Sequence, residues 1–244
     1  MLEFFEHLAG YLFSDRFLLG AVNTLKLTLL AQLAAIVLGF AIALAKMSRL
    51  MILEKLAGAY IWVFRGIPVL VQLIFVYNAL PRFGITLSEF QTALVALALN
   101  EAAYMAEIIR SGLESVGKGQ HRAARALGMN NWQRMRYVVM PQALRIITPP
   151  TGNQFIGMLK TSSMASVVGY TDLLMSAQQA ASANFDYVNT LIAAVIYYLF
   201  FTAIFSVGQS YLERRMDTSR PKEKQRGIFP KFRRRETDPA VGNG

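Results

Sequence analysis

Five charged side chains stand in runs otherwise apolar enough to cross a membrane: Lys26, Arg65, Glu101, Glu107 and Lys160. An ionised group at such depth is costly, so it marks a partner charge, a wet cavity or a solute route. Counted at 1.5 Å of rise per residue, Arg65 lies about 14 Å and Glu101 about 15 Å from the inner face. Their matched depth predicts a salt bridge between adjacent helices, which would either lock helix packing or take part in a transport route. Lys160 lies about 21 Å in by the same count, beside Thr161, Ser162 and Ser163 and shortly after Asn153 and Gln154. Such a stripe can offer hydrogen bonds to a zwitterion while the ammonium holds a carboxylate. The same groups can instead bond across helices as packing glue, and both readings stay open.

Covalent chemistry finds little support. The run Gly112-Leu113-Glu114-Ser115-Val116-Gly117-Lys118-Gly119 approaches the phosphate loop G-x4-G-K-[ST]. That loop needs a preceding strand and a hydroxyl to hold magnesium; here an apolar span precedes it, and Gly119 stands where the hydroxyl should be. His7 and His121 fall on opposite sides of the expected membrane, which excludes a shared metal or a catalytic pair. With no cysteine, disulfides, thiolate metal sites and a Cys nucleophile are also excluded. The chain is expected to be no enzyme: no catalytic, cofactor-binding or metal residue is assigned, and ATP hydrolysis would have to come from another subunit.

A different kind of site lies in the polar loop 119–128. Ala123, Ala124 and Leu127 fall at i, i+1 and i+4 of a short basic helix, while Arg122 and Arg125 share another side. Small apolar residues let a second surface approach the backbone closely, so Gly119, Arg122, Ala123, Ala124, Leu127 and Gly128, with Pro141 beyond them, read as a docking element for a partner protein. Gly128 ends the helix, as glycine often does.

These groups are positioned by apolar spans. Residues 27–45 carry no charge and cover about 28 Å, close to the thickness of the hydrocarbon core; the full first span starts near Leu18. A second covers 56–80, interrupted by Arg65-Gly66-Ile67-Pro68, and a third 90–109. A fourth, 146–170, is expected to break at Pro149-Pro150, and the fifth, 187–212, is free of charge. Twenty lysines and arginines lie in the connections 46–55 and 110–145 or beyond 213, against Arg16 and Arg82 on the other side. That asymmetry places the N-terminus outside and the C-terminus in the cytoplasm. Glu3, Glu6 and Asp15 against Arg16 do not make the basic start of a cleaved signal peptide, so the first span is expected to be retained. The fold class is therefore an all-α polytopic membrane protein with five core transmembrane helices. The net charge of +10 sits on the cytoplasmic side, as a topology signal attracted to anionic membrane lipid rather than a nucleic-acid surface.

The loop also carries a resemblance. Ala123-Ala124-x3-Gly128-x9-Val138-x-Met140-Pro141 resembles the "EAA" loop of ABC importer permeases, Glu-Ala-Ala-x3-Gly-x9-Ile-x-Leu-Pro. Phe64-Arg65-Gly66-Ile67-Pro68, Pro141-Gln142-Ala143-Leu144-Arg145 and Leu159-Lys160-Thr161-Ser162-Ser163 are similar to segments of the polar amino acid branch of that family. The family's glutamate is replaced by Arg122, and the literal Glu101-Ala102-Ala103 lies inside a span. The resemblance implies a type I ABC permease fold with a cytoplasmic coupling helix. It implies a periplasmic segment over 1–17, the transmembrane domain over 18–212 and a basic, disordered cytoplasmic tail over 213–244.

The function that follows is that of the permease subunit of an ATP-driven importer in a bacterial inner membrane, carrying a polar amino acid or related solute such as an opine. The implied partners are ABC ATPase subunits that bind ATP and Mg, a second permease (identical or paralogous) and an external solute-binding protein. The alternative is a self-sufficient channel or ion-coupled carrier, which would need neither the amphipathic loop nor ATP; a nonconducting scaffold would leave the five intramembrane charges unexplained.

The basic asymmetry makes a direct test. A reporter fused after Leu212 should be cytoplasmic and one inserted near Ser182 external; an external C-terminus would overturn the orientation.

Overall fold

A computed structural model describes residues 2–216, which form ten α-helices with short 3-10 and π turns and no strand. Helix α1 (Leu2–Leu12) leads through Ser14 into α2 (Asp15–Lys46). The Ser14 hydroxyl accepts from the Phe17 N–H, and Asp15 and Lys46 place opposite charges at the dipole ends they complement. Next come α3 (Met51–Gly66) and α4 (Val69–Ala79), with a 3-10 turn over Leu80–Phe83. Helix α5 (Glu89–Glu114) starts in a capping box made by Ser88 and Gln91.

The basic connection after α5 holds α6 (Lys118–Ala126) and the single turn α7 (Asn131–Arg134). A π turn, Met135–Val139, joins α7 to α8 (Met140–Thr161), which tightens into a 3-10 segment over Ser162–Val168. Two helices complete the described chain, α9 (Leu173–Asn184) and α10 (Tyr187–Met216).

Small residues set how the centre packs. On α2, Ala31, Ala35, Gly39 and Ala43 recur every fourth residue, one face of a helix, and all are buried. They lie against α5, whose own Ala102, Ala103 and Ala106 are fully buried. A Cβ added at Gly39 would meet Met105 Cβ at 2.6 Å and the Ala102 carbonyl oxygen at 3.0 Å. Between helices in lipid no hydrophobic drive separates one apolar face from another, so close backbone approach supplies the packing. Beyond α8, buried Asp172 caps α9 by accepting the Met175 N–H at 2.8 Å; burial pushes its carboxyl up to about 6. Helix α10 packs on α1, α8 and α9 through one face, with Ala193, Ala194 and Phe201 buried, and leaves most of its apolar surface uncovered by the rest of the chain.

Helices α2, α5 and α10 are long and apolar enough to cross a membrane, and the pair α3–α4, bent by 104°, makes a fourth such element. The fifth element of that length is α8, 22 residues or about 33 Å. The expected break at Pro149-Pro150 is absent: α8 runs through both prolines and starts at Met140, not near Ile146. The prolines remove the helical donors of the Arg145 and Ile146 carbonyls, while on either side Thr148 donates to the Leu144 carbonyl and Thr151 to that of Ile147, and the Gln209 amide of α10 ties the Pro149 carbonyl. Prolines are tolerated in spanning helices where neighbouring helices and side chains hold the segment in place. Segment 1–17, expected to precede the transmembrane domain, contains α1. Of the expected tail, 213–216 form the last turn of α10, and 217–244 lie outside the described residues.

The α2–α5 contact makes a prediction. Gly39→Leu should destabilise the detergent-solubilised protein by about 1–3 kcal/mol, read as a lowered thermal midpoint. Gly10→Leu, where an added Cβ meets nothing within 4 Å, should leave it near wild type.

Candidate functional site

The second span is broken where Phe64 to Pro68 cross from α3 to α4. Pro68 has no N–H to continue a helix and disfavours the helical conformation at Ile67, which is extended at φ −104°, ψ 132°. The freed backbone is then held by side chains. The Gln72 amide donates to the carbonyls of Phe64 at 2.9 Å and Ile67 at 2.8 Å, and the Asn100 amide donates to the same Phe64 oxygen at 2.9 Å. Tyr60 adds a bond from α3 to the Leu99 carbonyl of α5.

These fixed chain ends form one wall of a cavity of about 530 Å³, whose other walls are α5 and α8. Of the residues expected to carry chemistry, Arg65, Glu101, Gln154 and Thr161 line it together, joined by Asn100 and Tyr104. Asn153 and Lys160 are exposed, and at helical spacing they share a face of α8 with Gln154, Gly157 and Thr161. Ser162 belongs elsewhere: it is fully buried, donates to the Leu159 carbonyl and accepts from Thr28 of α2 at 3.3 Å. It is helix glue, not cavity wall.

The expected salt bridge between Arg65 and Glu101 is not formed. The Arg65 guanidinium lies over the Tyr104 ring, 5.1 Å from its centroid, while Glu101 Oε1 is buried without a hydrogen-bond partner. Depth along two helices fixed their level, but pairing also depends on which way each helix is turned. Of the other three deep charges, Lys26 sits over Phe90 at 4.9 Å and Glu107 holds Arg110 at 2.7 Å, while Lys160 is exposed on α8. Sequence reasoning missed Gln72, Asn100 and Tyr104; their signal was a set of amides and a phenol inside spans, flanking the same broken segment.

A larger cavity, about 700 Å³, is walled mainly by apolar side chains such as Ile36, Phe40, Met105, Leu144, Ile156 and Phe205. It has few groups that could orient a polar solute.

In the basic connection after α5, α6 forms as expected and ends at Gly128, whose φ of 73° is left-handed. Its N–H bonds the Arg125 carbonyl, and the Met129 N–H bonds that of Ala124. The three residues expected on one docking face are divided. Ala124 is 3% exposed and packed within the chain, whereas Leu127 is 77% exposed and Ala123, one turn before it, is exposed too. Gly119, Arg122 and Pro141 are also exposed. Further along the loop, Trp132 and Tyr137 are exposed and touch edge to face at 6.2 Å. Sequence reasoning passed over this apolar pair; the signal was two large aromatic residues in an otherwise polar, basic loop.

Comparison with known proteins fits this geometry. The family described as "binding-protein-dependent transport system inner membrane component" matches residues 35–218. The arginine transport system permease protein ArgU of Corynebacterium glutamicum is 40% identical over 223 residues, 85% of this chain and 70% of that protein. The glutamine transport system permease protein GlnP of Escherichia coli K12 is 36% identical over 199 residues, covering 81% and 91%. A crystal structure of an amino acid ABC transporter with histidines superposes with a TM-score of 0.77 at 44% identity, covering 82% of this chain and 94% of that one. The MetNI methionine ABC transporter, at 20% identity and a TM-score of 0.71, shares the fold.

The contacts of Arg65 can be tested by double-mutant cycles on stability. Arg65→Ala with Tyr104→Leu should show a coupling of about 0.5–1 kcal/mol, and Arg65→Ala with Glu101→Gln a smaller one. The reverse order would restore the ion pair and remove the stacked arrangement.

Proposed function

Because the chain belongs to the family of binding-protein-dependent transport system inner membrane components, and is a permease subunit of an amino acid ABC importer with its ATPase on a separate chain, we propose that its solute crosses at the α3–α4 break. The observation that carries this reading is the polar cavity at the broken span, flanked by the exposed polar face of α8. Broken helices at membrane depth are tolerated where they line a wet cavity, and they place helix ends against solute and ion. Lys160 and Asn153 exposed on a spanning helix would be costly against lipid. A second permease, a copy or a paralogue, facing that stripe would enclose it as an aqueous route.

The relatives named for arginine and glutamine transport support a polar amino acid as the solute. An external binding protein delivers it, and the chain lies in the inner membrane with its N-terminus outside and C-terminus inside. ATPase subunits, holding ATP and Mg, dock on the cytoplasmic loop through Ala123, Leu127 and the aromatic pair Trp132 and Tyr137. Closure of the ATPases on ATP moves these loops, and the helices rock between outward and inward openings; the coupling is mechanical. A self-sufficient carrier would leave an exposed apolar surface on a basic loop without purpose.

Reconstituted complex tests the docking. Leu127→Arg places a charge on the exposed face, and Gly128→Asp strains a left-handed position by about 1 kcal/mol. Both should reduce solute-stimulated ATP hydrolysis at least about tenfold, with ATPase pull-down lost and membrane insertion retained. Ala124→Arg should act differently, by disturbing the loop's own packing. Normal pull-down and coupled transport in both Leu127→Arg and Gly128→Asp would refute this role.

A further inference from the structure

We propose that the apolar cavity of about 700 Å³ seats a membrane phospholipid, with one acyl chain lying among the helices and an anionic headgroup held by Arg145 and Arg215. The cavity runs between α2, α5, α8 and α10. It takes in Met105 to Leu113 of α5 and Phe205 to Glu213 of α10, about 12 Å of each. Half of a hydrocarbon core is about 15 Å deep, so this length suits the chain of one leaflet. The few polar side chains in the lining have spent their donors. Thr148 and Thr151 bond the carbonyls four residues before them, and the Gln209 amide bonds the Pro149 carbonyl and the Glu213 carboxylate. A buried water needs about two to four polar partners, which this lining does not supply. Val37, Phe40, Leu144 and Leu212 line the cavity and are also exposed, so it opens sideways through apolar residues.

Which way the cavity faces decides its occupant. On α8 it is lined by Thr148, Thr151, Gly152 and Phe155, whereas the polar stripe runs through Asn153, Gln154, Gly157, Lys160 and Thr161. At about 100° per residue these two sets lie on nearly opposite sides of the helix. A second permease facing the stripe is then beyond α8 and leaves the cavity to lipid; the choice of lipid rests on that placement of the second permease. Charge decides the class of lipid. Phe155 packs on Phe205 at 4.7 Å between ring centroids, and Gln209 bonds Pro149. The two helices therefore run antiparallel, with Arg145 level with Arg215. Arg145 lies three residues from Thr148 and Arg215 three from Leu212, so each shares a side of its helix with the lining. Both arginines are exposed. The Arg215 guanidinium stacks over Tyr211 at 4.7 Å, which leaves its N–H edges for a phosphate.

The test is native mass spectrometry of the assembled permease–ATPase complex, equilibrated with equal amounts of phosphatidylglycerol and phosphatidylcholine and then released into detergent. Each wild-type permease chain should retain one phospholipid, with phosphatidylglycerol favoured at least about fivefold. Gly208 lines the cavity, and a Cβ there meets nothing within 4 Å, so Gly208→Trp fills the space. It should lose the lipid, whereas Gly10→Leu should keep it. Arg145→Gln combined with Arg215→Gln should still retain a lipid, with the preference reduced to within about twofold. A second readout needs no variant. Phosphatidylglycerol with a diazirine in its acyl chain should label Met105 and Ile109 of wild type, which line the cavity and are only 1% and 4% exposed. Absence of a retained lipid or of that label in wild type would overturn the inference, as would retention by a folded Gly208→Trp. An unchanged preference in the arginine variant would overturn the headgroup assignment. Because the chain has no cysteine, Gly208→Cys carries a single thiol. A disulfide-linked permease dimer through it would put the second permease in the cavity, overturning both the lipid and the placement of that subunit at the stripe. Loss of labelling without such a dimer would overturn the lipid alone.

Discussion

The carbonyl oxygen of Phe64 accepts two side-chain amides, from Gln72 and Asn100, and much of the molecule is arranged around that meeting. A backbone that leaves the helical path inside a bilayer exposes donors and acceptors that no solvent can satisfy, so other parts of the protein must satisfy them. Here the helix after the break reaches back through Gln72, and α5 reaches across through Asn100. The 104° bend between α3 and α4 is therefore held by hydrogen bonds, and the cavity beside it has a fixed wall.

That wall has a fixed position because α5 does. Alanines and one glycine bring α2 onto α5 closely enough that an added methyl at Gly39 would collide with Met105 and the Ala102 carbonyl. Two adjoining residues, Asn100 and Glu101, project from this anchored helix toward the break, one to hold backbone and the other to line the cavity. Packing by small residues and placement of polar groups are thus two uses of one helix. Neither use tolerates rotation of α5 about its axis.

The sequence made the fold legible where charge and apolarity vary along the chain. The spans, the break at Arg65 to Pro68 and the left-handed Gly128 all follow from one-dimensional patterns. What it did not contain was azimuth. Arg65 and Glu101 agree in depth and still do not pair, because facing requires the relative rotation of α3 and α5. Ala124 turns inward while Ala123 and Leu127 turn outward, a division that i, i+1, i+4 spacing leaves undecided by about 100°. Prolines 149 and 150 looked like breakers because propensity sees the missing N–H but not the contact from α10, where Gln209 holds the Pro149 carbonyl. Gln72 and Asn100 stood out only as amides inside spans, and their role stayed hidden because their partners are backbone atoms, which no sequence motif names.

The π turn over Met135–Val139 sets a phase relation. A π turn holds one residue more than an α turn, and a residue of α-helix is worth about 100° of rotation. Everything before it, including the Trp132 ring, is thereby swung about α8 relative to where an uninterrupted helix would aim it. The bulge acts as an angular offset between the surface of the basic loop and the polar stripe of α8. The two faces can be set independently without altering a single residue of either, because the offset is carried by the count of residues between them.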